Sequence, residues 1–327
     1  MDTGTHLVIG LGLAGLAHID PIVAQDSTLA AAVLVGTVAG SQIPDIDTVL
    51  RMKGNAAYIR NHRGRSHSLP LLALWTLLLT AAIAAIFPGI DLLHVVLWTA
   101  VAVGFHVFTD LFNTYGTQAL RPFSERWVGW NIIHIFDPFI FFAHLVAIIL
   151  WSVNAFPPAT LFPLLYGIIA LYYIWRTIVH SVLERRLGKQ DPLHRDGDRY
   201  ILIPTVHLNA WNVVKQRTDG TYALGELRSG ALRWIDEVKC DDHPAVDASK
   251  SNSDAAALLY YSSYACAELR EHSWGYEVRW ADVRYRHRKN YPFVAVVHLD
   301  KQLRELDSYV GWVNETRLGK KLRVDLY

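Results

Sequence analysis

Long apolar runs separated by short polar loops fill the first 187 residues of the chain. Residues 69–88 contain no charged side chain, and twenty such residues cross the hydrocarbon core of a bilayer, about 30 Å thick, as one helix. Five further runs follow the same pattern, the first two of them shorter and rich in small residues: 5–19, 27–43, 92–112, 138–156 and 158–175. The pattern therefore predicts about six membrane segments.

Lys and Arg side chains fall in alternate loops. The loops at 44–68 and 113–136 and the stretch after residue 175 contain them, whereas the intervening loops contain none. Basic residues in short loops mark the cytoplasmic side of a membrane protein. We therefore expect a multi-pass protein of the bacterial inner membrane with both termini in the cytoplasm.

The pattern changes near residue 188 to a polar sequence of mixed charge. Short runs with strand-like composition alternate with turn sequences, and residues 255–269 and 301–308 are expected to be helical. The predicted fold class is thus an α-helical membrane domain (1–187) followed by a small mixed α/β cytoplasmic domain (188–327).

Composition supports this division and excludes other classes. Of 327 residues, 52% are hydrophobic, and the mean hydropathy of +0.18 is high for a soluble protein. A formal net charge of +1 argues against nucleic acid as a partner. Cys240 and Cys266 lack CxxC spacing, so we expect them to be ordinary small apolar residues. The sequence does not indicate an oligomeric state.

His106 and Asp110 lie four residues apart within an apolar run. On a helix this spacing places both side chains on one face, where an imidazole and a carboxylate can hold one cation. The alternative is a structural hydrogen bond between helices. Ionisable residues inside a membrane are, however, functional by default.

Further polar clusters lie at the same predicted ends of the spans. His6 begins the first run, the sequence PDID ends the second, residues 61–68 precede the third, and Asp137 precedes the fifth. Each has a simpler interpretation, since Asp137 suits a helix N-cap and the arginines suit topology. Together, however, their imidazoles and carboxylates are ligands that Zn²⁺ or Mn²⁺ accepts.

Five sequence motifs carry a resemblance to a known family: Thr5-His6, PDID at 44–47, NHRGRSHS at 61–68, HVFTDLFNTYGTQ at 106–118 and FDPF at 136–139. With YPFVAVV and YVGW in the second domain, they make the chain resemble the YdjM/YfhP-like family of bacterial inner-membrane proteins, which is associated with metal-dependent hydrolysis. Ser66 departs from the family pattern, which has Thr before the histidine.

The ligand order also resembles that of zinc-dependent phospholipase C, although its second His-x-x-x-Glu has no counterpart here. The resemblance implies one or two divalent ions, Zn²⁺ first and Mn²⁺ as the alternative. The implied metal ligands are His6, Asp45, Asp47, His67, His106 and Asp110. Of these, His67, His106 and Asp110 would bind the principal ion, and Asp110 would bridge to a second ion held by His6 and by Asp45 or Asp47.

These patterns lead to the hypothesis of a membrane-bound hydrolase that cleaves a phosphate ester with a metal-activated water. The expected catalytic residues are Asp47, Asp137, Arg63 and His62, with Asp47 or Asp137 as general base or as an orienting group. Arg63, Asn113 and Tyr115 are expected to bind the substrate, a phospholipid, polyprenyl phosphate or other phosphorylated amphiphile from the surrounding lipid bilayer.

Two other classes of function fit the same residues. In one, the protein is not an enzyme, its metal site is structural or sensory, and its second domain is regulatory. In the other, the intramembrane carboxylates belong to an ion transporter. The transporter is less favoured because its sites lie near the bilayer midplane, whereas these clusters gather at one face.

Overall fold

The computed structural model describes residues 1–285, 291–312 and 322, which form two compact units. The helical unit consists of Met1–Asp47, His62–Val182 and Pro204–Leu208. The sheet unit consists of Thr48–Asn61, Leu183–Ile203 and the described part of Asn209–Tyr327.

Ten α-helices and eight strands occur among the described residues. The helices are α1 (Thr3–Leu16), α2 (Pro21–Gln25), α3 (Ser27–Gly40), α4 (Asn55–Asn61), α5 (Leu69–Ile86), α6 (Leu92–Asp110), α7 (Pro138–Ser152), α8 (Pro158–Gln190), α9 (Pro244–Ser249) and α10 (Ser253–Tyr261). The strands are β1 (Arg199–Pro204), β2 (Ala210–Gln216), β3 (Thr221–Arg228), β4 (Ala231–Lys239), β5 (Ala265–His272), β6 (Gly275–Asp282), β7 (Phe293–Asp300) and β8 (Glu305–Trp312).

Aspartate side chains fix where the apolar helices begin. Asp2, Asp26, Asp91 and Asp137 precede α1, α3, α6 and α7, and each accepts a hydrogen bond from a backbone N–H of the first turn. Such caps satisfy amides that have no partner within the helix. Polar residues between the apolar runs thus set the helix boundaries.

Helices α5, α6 and α8 are long and apolar enough to cross a membrane. A fourth candidate span is α3 together with the 3₁₀ segment Ile43–Lys53, which are bent by 45° at a short break. The apolar helix over Thr3–Ile19 and helix α7 are shorter than a span requires. Among the described residues there are thus three to four candidate spans, and the prediction of six is not confirmed.

Small residues bring α3 close to α6. A methyl group on Gly40 would lie 3.1 Å from Cβ of Ala102, and one on Gly36 would overlap the side chain of Thr99. Glycine at these positions allows the two backbones to approach. As a result, the chain that leaves α3 at Ser41 runs alongside α6, where His106 lies.

The sheet unit contains two four-stranded sheets, each with its strands side by side in sequence order, β1 to β4 and β5 to β8. Helices α9 and α10 pack on the second sheet, and α4 packs on α10 and β8. The helix expected at 301–308 is wrong, because this stretch turns at Lys301 and enters β8, which pairs with β7. The helix expected at 255–269 ends at Tyr261, before β5.

Cys240 and Cys266 form a disulfide bond, so the expectation of two ordinary apolar residues is wrong. Backbone pairing explains their meeting, since the N–H of Asp241 donates to the carbonyl oxygen of Ala267. Each cysteine is the immediate neighbour of one of these residues. The bond links the end of β4 to β5 and encloses α9 and α10.

A buried ion pair lies at the start of the sheet unit. Lys215 Nζ donates to Asp191 Oδ2 over 2.7 Å, and both side chains are fully buried. Trp234 and Tyr200 also donate to this carboxylate. Burial alone would raise the pKa of Asp191, but these hydrogen bonds outweigh it and lower the pKa to about 2.

We expect this carboxylate to make the stability of the sheet unit pH-dependent. Its pKa is lower in the folded state than the ordinary 3.8, so its contribution is present above pH 4 and is lost as pH falls through 2. The loss amounts to roughly 2 kcal/mol. Denaturant unfolding followed by pulse proteolysis should show this slope in wild type and a flatter one in Asp191→Asn. Asp247→Asn, at an exposed position, serves as the control and keeps the wild-type slope. An unchanged slope in Asp191→Asn would contradict the assignment.

Candidate metal centre

Four donor atoms converge inside the helical unit. They are Asp45 Oδ1, His67 Nε2, His106 Nε2 and Asp110 Oδ2, which all lie within 4.8 Å of one another. The side chains of His67, His106 and Asp110 are fully buried, and that of Asp45 is 19% exposed. None of the four atoms has a hydrogen-bond partner among the described residues.

The spacing of the four atoms fits a metal ion. His67 Nε2 lies 3.6 Å from Asp45 Oδ1 and 3.5 Å from Asp110 Oδ2, and His106 Nε2 lies 3.7 Å from each carboxylate. The corners of a regular tetrahedron with such edges lie about 2.2 Å from its centre, close to the distances of zinc to nitrogen and oxygen ligands. Buried polar atoms normally have partners, so these four fit a divalent cation.

Three stretches of chain position these donors. His106 and Asp110 lie one turn apart at the end of α6, as their spacing predicts. His67 ends the 3₁₀ turn Arg65–His67, immediately before α5, and Asp45 lies in the segment Ile43–Lys53 after α3. The donors therefore come from the ends of helices that pack together.

Hydrogen bonds at Nδ1 orient both histidines. Nδ1 of His106 lies 2.7 Å from the carbonyl oxygen of Ser41, which can only accept. Nδ1 of His67 lies 2.9 Å from Ser66 Oγ, and this hydroxyl donates to Asp47 Oδ2 over 2.7 Å. Both rings thus carry their proton on Nδ1 and present the lone pair of Nε2 to the centre.

Asp47 lies outside the four donors. Its carboxylate accepts hydrogen bonds from Nδ1 of His62 (2.8 Å), the backbone N–H of Arg63 (3.0 Å) and Ser66 Oγ. Asp45, Asp47 and His62 form a second group with metal-ligand spacing, and its members are less buried. Because the oxygens of Asp47 already accept three hydrogen bonds, its geometry suits an orienting group.

The second oxygen of Asp110 faces another group of polar atoms. Asp110 Oδ1 lies 3.3 Å from His6 Nε2, accepts from Asn113 Nδ2 at 3.2 Å and contacts the α-amino group of Met1. The rings of His6 and His106 stack with their centroids 3.7 Å apart. The structure therefore places His6 beside the four donors, on the other side of Asp110.

Arg63 is buried against the centre. Its guanidinium donates to Asn113 Oδ1 and to the carbonyl oxygen of Met1, and its Nε lies 3.3 Å from Asp110 Oδ2. Its backbone has φ of +58°, which is uncommon for a residue with a side chain. The ring of Tyr115 lies 5.9 Å from the guanidinium carbon. Arg63, Asn113 and Tyr115 thus lie together, with the guanidinium of Arg63 turned towards Asp110.

Asp137 is not brought into either group of metal-ligand spacing. It caps α7 through the amides of Phe139 and Ile140, and its second oxygen accepts from Tyr172 at 2.7 Å. The N-cap interpretation describes its contacts. Sequence analysis did not predict the contact of Ser66 with His67, for which the signals are its position directly before the histidine and the hydroxyl that Thr also supplies in the family pattern.

We expect Ser66 to tune metal affinity through His67. Ser66→Ala removes the acceptor of the His67 proton, and loss of such outer hydrogen bonds weakens metal binding by about tenfold or more. Ser66→Thr keeps the hydroxyl and should bind like wild type. Ser68→Ala is the matched control, because Ser68 precedes α5 without a side-chain cap bond. Competition titration with a metal chelator measures the affinities, and equal values for Ser66→Ala and wild type would refute the role.

Comparison with known proteins agrees with the resemblance of the motifs. The model of the YdjM inner membrane protein family matches residues 1–182, and that of the YfhP C-terminal alpha/beta plait domain matches residues 244–322. "Uncharacterized protein YfhP" of Bacillus subtilis (strain 168) is 42% identical over 328 residues, which is 99% of each chain. No solved structure matches. The first model covers more than half of the chain, so this protein belongs to the YdjM inner membrane family and has a C-terminal domain similar to that of YfhP.

Proposed function

We propose that the protein is a membrane-bound, metal-dependent hydrolase of a phosphate ester. The observation that carries the proposal is the set of four converging donor atoms without hydrogen-bond partners in the described part of the chain. Two neutral imidazoles and two carboxylates suit a divalent ion, Zn²⁺ or Mn²⁺. The ion would supply Lewis-acid polarisation of the ester and a water nucleophile at neutral pH.

The residues around the centre divide into holding and proton-handling roles. Asp45, His67, His106 and Asp110 hold the ion, and Arg63 offsets part of the negative charge of Asp110. His62 is the most exposed residue of the two groups of metal-ligand spacing, at 27%, and it is hydrogen-bonded to Asp47. His62 with Asp47 is therefore the pair that we assign to proton transfer with the substrate.

The substrate we infer is a phosphorylated amphiphile. The centre lies at the ends of α5 and α6, two helices whose apolar character suits a bilayer. An ester group at the lipid surface would reach this level while its acyl or prenyl chain stayed in the hydrocarbon. A soluble phosphate ester would gain nothing from this location.

Four protein donors also support a second function, a structural or sensory metal site in a protein that is not an enzyme. A tetrahedral Zn²⁺ with four protein ligands is closed, whereas catalytic sites keep a position for water. A six-coordinate ion such as Mn²⁺ would leave two positions open with the same four donors. The coordination number thus distinguishes the two functions.

Metal analysis combined with an activity assay tests the proposal. Purified wild type should contain a divalent ion and hydrolyse at least one member of a panel of phospholipids and polyprenyl phosphates. Asp110→Ala should lose both the metal and the activity. His94→Gln is the matched control, since His94 forms another His–Asp pair, with Asp20, outside the groups of metal-ligand spacing.

The outcomes separate the two functions. Metal that depends on Asp110, with no turnover by wild type on the whole panel, would favour the structural or sensory site. Metal content that is unchanged in Asp110→Ala would overturn the ligand assignment itself.

We further infer that the centre and both termini are cytoplasmic. The basic loops support this orientation, and the connection 87–91, which joins α5 and α6 at their other ends, contains no Lys or Arg. The Cys240–Cys266 bond is a reason to test on which side of the membrane the sheet unit lies, because disulfides are rare in cytosolic proteins.

Labelling of single added cysteines with an impermeant maleimide tests the topology. Pro88→Cys should react in intact cells, and Lys250→Cys, at a half-exposed position of the sheet unit, should react only after permeabilisation. Reaction of Lys250→Cys in intact cells would place the sheet unit outside the cytoplasm.

A further inference from the structure

The segment Thr48–Asn61 belongs to the sheet unit, although the residues on both sides of it belong to the helical unit. The chain leaves the helical unit after Asp47 and returns to it at His62. We call this segment the tether. It connects the two units by covalent bonds at both of its ends.

The two residues that flank the tether, Asp47 and His62, are hydrogen-bonded to each other. Nδ1 of His62 lies 2.8 Å from Asp47 Oδ1, and the two side chains are 27% and 6% exposed. The backbone N–H of Arg63, the next residue, also donates to Asp47. This carboxylate therefore joins the residues on the two sides of the tether.

Within the sheet unit, the tether is part of the hydrophobic core. Ile59 is 8% exposed and belongs to the core cluster that includes Leu258 and Val278. Asn55 Nδ2 donates to the carbonyl oxygen of Val310 over 2.8 Å, and Arg60 lies 5.0 Å above the ring of Tyr260. The position of α4 is thus set by the packing of the sheet unit.

Asp47 in turn acts on the centre. It accepts the proton of Ser66 Oγ, and this hydroxyl accepts from Nδ1 of His67, one of the four donors. The core of the sheet unit is therefore linked to His67 by the covalent continuity of α4 with His62 and by the hydrogen bonds of Asp47 with His62 and Ser66.

We propose that the sheet unit regulates the metal centre by holding the tether, an inference that rests on the proposed metal site. When the packing of α4 loosens, Asp47 loses its fixed position, and Ser66 no longer orients His67. A ligand or partner that shifts α4 within the sheet unit would change metal affinity without contacting the centre. This assigns the C-terminal domain a regulatory role over the site.

Hydrogen exchange on the full-length protein in nanodiscs tests the first step without requiring metal. Ile59→Ala truncates the anchor of the tether, and the amides of residues 62–68 should then exchange about tenfold faster, because the Arg63 N–H loses its hold on Asp47. Asn55→Ala should give a smaller change in the same direction. Ile59→Leu keeps the side-chain volume and should restore slow exchange.

Val278→Ala is the matched control, because Val278 belongs to the same core cluster but lies outside the tether. It should weaken the sheet unit but accelerate exchange in residues 62–68 less than Ile59→Ala does. Wild-type exchange in both Ile59→Ala and Asn55→Ala would overturn the inference. Equal acceleration by Val278→Ala would also overturn it, since the effect would then be general loosening.

Metal titration tests the second step. Ile59→Ala should weaken binding about tenfold, as expected for loss of outer orienting contacts. In an Asp47→Asn background the same substitution should add almost nothing, because both act through one carboxylate. If the losses of metal affinity caused by Ile59→Ala and Asp47→Asn multiply in the double variant, the route through Asp47 is refuted. If wild type binds no metal but the exchange results hold, the proposed metal site fails and the mechanical link stands.

Discussion

The burial of four converging metal-ligand atoms without hydrogen-bond partners is the constraint on which the helical unit depends. Among the described residues, one oxygen each of Asp45 and Asp110 and one nitrogen each of His67 and His106 face a common point unsatisfied. Burying a carboxylate costs several kcal/mol unless its charge is paired, and Asp110 is paired with Arg63 and with the α-amino group of Met1. A divalent cation bound between the four atoms would offset the remaining cost. The close contact of α3 with α6 and the hydrogen bonds at both Nδ1 atoms have a shared result: they hold the four ligand atoms around one point.

The sequence predicts most of this centre because its signals are local. The i, i+4 spacing of His106 and Asp110 places both on one helix face, and a histidine directly before an apolar run has to lie at the end of a span. The role of Asp47 is less predictable, since the same carboxylate suits a ligand or an orienting group. In the folded chain Asp47 accepts three hydrogen bonds, and only this observation favours the role of an orienting group. Asp137 shows the same limit, because an N-cap and a catalytic base look identical before the fold is known.

The errors in the fold share one cause, which is contact between distant parts of the chain. Residues 301–308 have a composition that tolerates a helix, but pairing with β7 makes them a turn and a strand. Cys240 and Cys266 are 26 residues apart and meet only because the chain after β4 pairs with β5. The prediction of six membrane segments is not confirmed, because the apolar helix over Thr3–Ile19 and helix α7 are shorter than the three to four candidate spans among the described residues.

The exposure of the four ligand residues bears on whether the centre has room for a substrate. A closed set of four protein ligands around a tetrahedral ion has no place for a substrate, so catalysis requires either a higher coordination number or one donor that yields. Asp45 is the donor suited to yield, because it is the only one of the four that is partly exposed. It lies two residues before Asp47, where the tether begins. The ligand residue suited to open the centre is therefore the one nearest in sequence to the tether. In the proposed function, access to the metal would then be controlled by the same few residues that the packing of the sheet unit holds.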